Sequence, residues 1–206
     1  MNNLMFSLAT LGNGIVSGLT GALGAVWYAI LVNFIGVVAI GVKITETQNK
    51  KRNRIVLFAI LGYVCWVLYF ILNGDFTSAI VNLIGCVQGL IFLQRGKHAW
   101  ADSIFWLFFF IAVQLVASIF TWKSPFSLFS ICAGLISTVA YIVMNEKLYL
   151  YLFLALILLW IGNGIVYFYP IALIHDCFAA VSISIAIVRY NILGKAPKTK
   201  DEGNDL

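Results

Sequence analysis

Charge is what this sequence most lacks. Of its 206 residues only 10% are Asp, Glu, Lys or Arg, and 62% are hydrophobic; a soluble domain carries about 25% charged residues. So little polar surface cannot cover a soluble core of this size. Composition therefore excludes an ordinary soluble enzyme, a disordered chain and a nucleic-acid module, although Lys and Arg number 13 against 8 acidic residues. Proline is scarce, with three in the chain. None interrupts an apolar run, so no broken-helix ion site is expected. Cys65, Cys86, Cys132 and Cys177 lie scattered in apolar runs, without a C-x-x-C pair or a histidine at metal spacing. They read as small buried hydrophobes, and no metal or other cofactor is expected. There is no glycine-rich phosphate loop and no nucleophile–base constellation, so neither an enzyme nor an ATP-driven pump is expected. The start, Met1-Asn2-Asn3, lacks the positive n-region of a cleaved signal peptide.

What the chain has in abundance is apolar length. Seven apolar segments stand between polar breaks, at 23–42, 55–72, 76–94, 103–122, 126–143, 148–166 and 170–190. Each is near the roughly 20 residues that a membrane-spanning helix needs. The expected fold class is an all-α polytopic membrane protein with seven transmembrane helices. Residues 4–21 are apolar but broken by Gly12, Gly14, Gly18 and small polar residues. They read as an interfacial or outer packing helix rather than an eighth span. The polar tail, 191–206, is expected to be disordered.

In a seven-span layout, twelve of the 13 Lys and Arg fall on one side. They occupy the 43–54, 95–102 and 144–147 loops and the end of the chain; Lys123 alone falls on the other side. The positive-inside rule makes the basic side cytoplasmic, with the N-terminus outside and the C-terminus inside. The basic runs then report topology rather than an anionic partner.

An offset of 94 residues brings rare residues into register with these segments: Trp66 with Trp160, Asn82 with Asp176, and Arg95 with Arg189. Trp66 lies eight residues before a turn near Gly74, and Asn82 eight after it. Trp160 and Asp176 flank a turn near Phe168 in the same way. Eight helical residues rise about 12 Å, so each Trp is level with its polar partner near the middle of a hydrocarbon core about 30 Å thick. Tryptophan normally prefers the interface, and a mid-depth carboxylate costs about 2.5–3.5 kcal/mol on insertion scales. Tyr69 and Asn73 share the face of Trp66, and Asn163 and Tyr167 that of Trp160. Three helices per repeat is an odd number, so a linker span is needed for both repeats to point the same way. The layout is 3+1+3: an N-terminal helix (1–22), a first bundle (23–95), a linker (96–124), a second bundle (125–190) and the tail (191–206).

The stretch Arg54–Arg95, with Trp66, the short turn LNGDFTSA at 72–79 and Asn82, resembles the SWEET/PQ-loop superfamily. The resemblance covers about residues 23–190 and is nearest to the bacterial YgjV inner membrane family, with PnuC-type vitamin-precursor transporters as relatives. In SWEET-like carriers a Trp from the second helix of each repeat and an Asn from the third line the substrate site. The resemblance maps those roles onto Trp66, Asn82, Trp160 and Asp176. The chain departs in having Asp at the fourth position and no proline–glutamine pair in 23–42.

The resemblance implies a facilitator (a uniporter) of the inner membrane that works by alternating access. Its solute would be small, polar and ring-containing, such as a sugar or a vitamin- or nucleoside-like compound. Trp66 and Trp160 would stack the ring, Asn82 and Asp176 would orient it, and Tyr69, Asn163 and Tyr167 are further candidates. Asp176 raises a second expectation, selection of a cationic solute or coupling to protons. His175, about 100° around the helix from Asp176, is expected to point elsewhere as a satisfied polar residue. Asn33 and Gln114 are candidates to face inward. Each residue also has a plainer role, in core packing or interhelical hydrogen bonding. Two other classes stay open: a non-transporting receptor or sorting protein on the same fold, and an accessory subunit of another membrane protein. The expected partners are the solute and the bilayer, with no nucleic acid. One chain of this layout can form a pathway alone, and a homo-oligomer is left open.

Overall fold

The computed structural model describes residues 2–48, 52–92, 94, 98–140, 142, 143 and 145–193. Most of the expected tail, 194–206, and the basic residues Lys50, Lys51, Arg95 and Lys97 lie outside the described residues. Among the described residues there are helices and no strands. The helices are α1 (Asn2–Leu23), α2 (Ala25–Gln48), α3 (Arg52–Leu72), α4 (Phe76–Phe92), α5 (Phe105–Thr121), α6 (Leu128–Ala140), α7 (Glu146–Tyr167) and α8 (Pro170–Leu193). Each of the seven apolar segments becomes a helix, α2 to α8. Ala25–Thr45, Lys147–Tyr167 and Pro170–Arg189 are each long and apolar enough to cross a bilayer, while the apolar stretches of α3, α4, α5 and α6 are shorter. The segment expected at 126–143 is shortened at its start by a 3₁₀ turn, Pro125–Ser127. Pro125 stands there at the first turn, where its missing N–H costs nothing, and Ser124 and Ser127 cap each other's backbone.

Two tight turns share one local chemistry. After α3, Gly74 takes a left-handed backbone (φ 70°); after α7, Phe168 does the same (φ 59°). The Asp75 N–H then donates to the Phe70 carbonyl at 2.9 Å, and the Tyr169 N–H to the Gly164 carbonyl at 2.9 Å. These bonds satisfy carbonyls that a helix end would otherwise orphan. The starts of α3 and α7, the starts of α4 and α8, and the two left-handed residues are each 94 positions apart.

α3 packs between α2 and α4, and α7 between α6 and α8. α4 also meets α6, and α2 meets α8, so six helices close in the order α2–α3–α4–α6–α7–α8. α5 lies against α4 and α6, and α1 packs chiefly against α2 and α5. Lipid is as apolar as a leucine side chain, so helices in a bilayer are held by close approach and hydrogen bonds rather than by the hydrophobic effect. Small residues supply the approach. Gly36 of α2 lies so near α8 that a Cβ there would sit 2.6 Å from Ile171 Cγ2. Ala39, Ala79, Ala133 and Ala172 are buried. The central apolar cluster gathers Val32, Trp66, Tyr69, Phe70 and Tyr169, with Trp160 packed on it.

Candidate functional site

Trp66 and Trp160 face the same ring, and that ring belongs to the protein. Phe70, 3% exposed, stacks on Trp66 (centroids 6.0 Å apart, planes at 30°) and on Trp160 (5.6 Å, 23°). Trp66, Tyr69 and Phe70 are spaced i, i+3, i+4, which puts them on one face of α3. Tyr69 and Tyr169 meet Phe70 edge-on, at 5.4 Å and 5.5 Å. Offset stacks and edge-on contacts are the arrangements aromatic quadrupoles prefer.

Beside these rings lies a buried polar network. The Asp75 carboxylate accepts bonds from the Ser78 N–H (3.0 Å), the Ser78 hydroxyl (2.6 Å) and the Tyr169 hydroxyl (3.2 Å). Asp75 thereby caps α4 and ties that cap to the α7–α8 turn. Asn163 donates its amide to Ser78 Oγ at 3.2 Å. Ser130 of α6 lies 3.1 Å from Asn163 Oδ1 and 2.7 Å from Ser78 Oγ, so its one proton has two acceptors within reach. Among the described residues no buried side-chain nitrogen or oxygen lacks a partner, as a low-dielectric interior demands.

The contacts repeat with the sequence. Shifting by 94 turns Asp75 into Tyr169, so their bond maps onto itself. The same shift turns Ser78–Asn163 into Ala172–Tyr69, and the Tyr69 hydroxyl does meet the backbone of Ala172. Ser130–Asn163 becomes Gly36–Tyr69, again a close pair. The large Tyr69 faces a glycine where the smaller Asn163 faces a serine.

The other expected site residues take separate places. Tyr167 stacks on Tyr169 (5.8 Å, 18°) and shares a hydrogen bond with Ser124 at 2.7 Å. Asn82, half-buried, donates its amide to the Ser78 carbonyl of its own helix at 2.8 Å. Asn73 does the same toward Tyr69. Asp176 is paired with His175, Nδ1 to Oδ1 at 3.0 Å, and the His175 ring lies 5.2 Å from that of Trp66. This corrects the expectation that His175 points elsewhere. The Cα–Cβ bonds of adjacent residues diverge by about 100°, but the imidazole is long enough to reach back, and it links Asp176 to Trp66. Asn33 is a second correction. It is exposed and bonds its own helix at Ala29. It lies in an apolar groove of about 620 Å³ along the outer face of α2, past Ala29 and Val37 and away from the aromatic stack. Small Gly36 and Ala39 face the bundle instead. Gln114 is buried and donates to the Ile131 carbonyl at 3.3 Å.

Sequence reasoning missed Phe70, Asp75, Ser78, Ser130 and Tyr169. Phe70 was readable as the i+4 neighbour of Trp66. Asp75-x-x-Ser78 was readable as a helix cap. Ser130 was not, because its counterpart at the 94-residue offset is a glycine.

The described residues form an all-helical membrane protein with a polar and aromatic centre and no group of three or more His, Cys, Asp or Glu able to hold a metal ion. A family model described as a bacterial inner membrane protein matches residues 30–193, and the chain belongs to that family, YgjV. No curated protein and no solved structure matches it.

Proposed function

We propose that the protein is a facilitator that moves a small, ring-containing polar solute across the inner membrane by alternating access. The two units, α2–α4 and α6–α8, would be parallel repeats joined by α5 in a seven-span 3+1+3 arrangement, with the basic loops in the cytoplasm and the N-terminus outside. They would rock about a site at Trp66 and Trp160. The observation that carries this reading is the exchange of contacts under the 94-residue shift, centred on Asp75–Tyr169. Two like units packed about an axis along the membrane normal can rock against each other, so that one end closes as the other opens. Asp176, held by His175 beside Trp66, motivates the second part of the reading, a preference for a donor-rich or cationic solute or coupling to protons.

Uptake into proteoliposomes of the purified protein tests the reading, with solutes first chosen by a thermal-shift screen of sugars, nucleosides and vitamin precursors. Flux is expected, and it is expected to fall in folded Trp66→Ala and Trp160→Ala. Absence of flux for every solute that binds would favour a receptor. An Asp176→Asn variant with unaltered flux at every pH would remove the coupling.

A further inference from the structure

Phe70 has no counterpart in the second unit. Its equivalent at the 94-residue offset is Gly164, which is buried and carries no side chain. The stack Trp66–Phe70–Trp160 is therefore built by one unit inserting a ring that the other omits. The walls are nearly parallel to that ring, at 30° and 23°. Tyr69 and Tyr169 close its edges, with planes at 76° and 68°. Two rings near-parallel to Phe70 and two edge-on to it make a surround that suits a planar ring. A puckered ring could lay a C–H face on a tryptophan, but its rim of hydroxyls would meet the hydroxyls of Tyr69 and Tyr169 already engaged by Ala172 and Asp75.

We propose that Phe70 is a gate that occupies the ligand's place: the slot between Trp66 and Trp160 takes the flat aromatic or heteroaromatic ring of a solute, which enters as the Phe70 ring leaves. Of the ring solutes allowed by the transport reading, on which this inference rests, it selects the planar class over sugars. Phe70 then acts as an internal competitor. It keeps the tryptophans stacked in the empty protein and sets the affinity for a ring that must displace it.

Equilibrium dialysis tests this on the full chain in nanodiscs, with labelled benzamide and adenine as planar probes, glucose as the puckered probe and choline as a compact cation. Planar probes are expected to bind Phe70→Ala about two- to tenfold more tightly than the unmodified protein, the factor that one aromatic pair corresponds to. Adding Trp66→Ala or Trp160→Ala to that variant should remove a similar factor. Phe70→Leu keeps most of the apolar volume and serves where Phe70→Ala unfolds; it too should bind planar probes more tightly than the unmodified protein. Glucose or choline binding more tightly than both planar probes would overturn the proposal, as would planar probes binding no folded Phe70 variant more tightly than the unmodified protein. Planar rings that bind without crossing the membrane would remove the transport reading and leave the gate. Sugar flux without planar-ring binding would do the reverse.

Discussion

The two seams where the helical units meet occupy equivalent positions and hold unlike residues. On the α4–α6 seam, Ser78 and Ser130 touch at 2.7 Å and Gln88 donates to Thr138 at 2.6 Å. α5 braces that seam from outside: Thr77 of α4 donates to the Thr121 carbonyl at 2.6 Å, and Gln114 reaches Ile131 of α6. The equivalents of Ser78, Ser130, Gln88 and Thr138 on the α8–α2 seam are Ala172, Gly36, Ser182 and Ile44. There the helices touch chiefly through Gly36 and Ile171, and from Leu173 to Arg189 no described residue of α8 is buried. One seam is tied along its length and the other is pinned near one end. Under the rocking reading the tied seam is the hinge and the pinned seam is the edge that parts. On that reading a near-symmetric chain would divide the two tasks by side chain alone.

The hardest way to break the tied side is through Asp75. Asp75→Ala leaves the Ser78 N–H, the Ser78 hydroxyl and the Tyr169 hydroxyl without their acceptor and deletes the cap of α4. A loss of about 3 kcal/mol is expected, given about 1–3 kcal/mol for leaving buried donors unmet and about 1 for a cap. Tyr169→Phe removes one donor and leaves Asp75 its two bonds to Ser78, so a loss of about 1 kcal/mol is expected. Thermal unfolding in mild detergent compares them. Equal losses would mean that Asp75 acts only through Tyr169.

The pinned seam is tested from the opposite direction, by overfilling. Gly36→Ala places a Cβ 2.6 Å from Ile171 Cγ2 and 3.0 Å from the Tyr69 ring. Ile171 must turn or the helices must separate, at a cost of about 1–3 kcal/mol. If α2 and α8 part there, thiol labelling of Cys65, half-buried on α3 against the cluster that holds Tyr69, is expected to speed up while labelling of Cys132 on α6 stays as it was. No change at either cysteine would show that Ile171 absorbs the methyl group.

A smaller effect separates the two turns. Gly74→Ala forces a side chain into the left-handed region and is expected to cost about 1 kcal/mol, the strain of about 1–2 less the gain from a stiffer unfolded chain. Phe168 already bears that strain with its ring 89% exposed. Phe168→Gly should therefore stabilise, by about 0.5 kcal/mol after the entropy of glycine is counted. Opposite signs at equivalent positions would confirm that the turns are equivalent in backbone and not in sequence. Stabilities are again read by thermal unfolding.

The helices were legible in the sequence because long apolar runs between polar breaks have few other readings in a chain with 10% charge. The turns at Gly74 and Phe168 were legible from the spacing of Trp66, Asn82, Trp160 and Asp176. The content of the centre was not. Asn82 and Asp176 stood out because polar residues are rare in spans, yet Asn82 bonds its own helix. The buried carboxylate that joins the units, Asp75, sits in a turn, where an acid looks ordinary. Phe70 is one of 16 phenylalanines, and only its ring contacts with two tryptophans distinguish it. Rarity in a sequence marks a residue; partnership across helices does not show in one.

Gln88→Leu gives the mildest test of the tied seam, and its size follows from what remains. Gln88 is buried, and its amide donates to Thr138 Oγ1 at 2.6 Å. The Thr138 hydroxyl itself donates to the Gly134 carbonyl at 3.0 Å. Removing Gln88 therefore orphans nothing on α6, and the leucine fills similar apolar space. The expected loss is one interhelical bond of the kind that averages about 0.6 kcal/mol within membranes. Thr138→Val should cost more, because it strands the buried amide of Gln88. The double variant should return toward the Gln88→Leu value, since two apolar partners of like shape leave no group unmet. A double-mutant cycle on thermal unfolding reads all three. A loss above about 2 kcal/mol for Gln88→Leu alone would make this end of the seam a latch rather than a strut, and the hinge would then have to lie nearer Ser78 and Ser130.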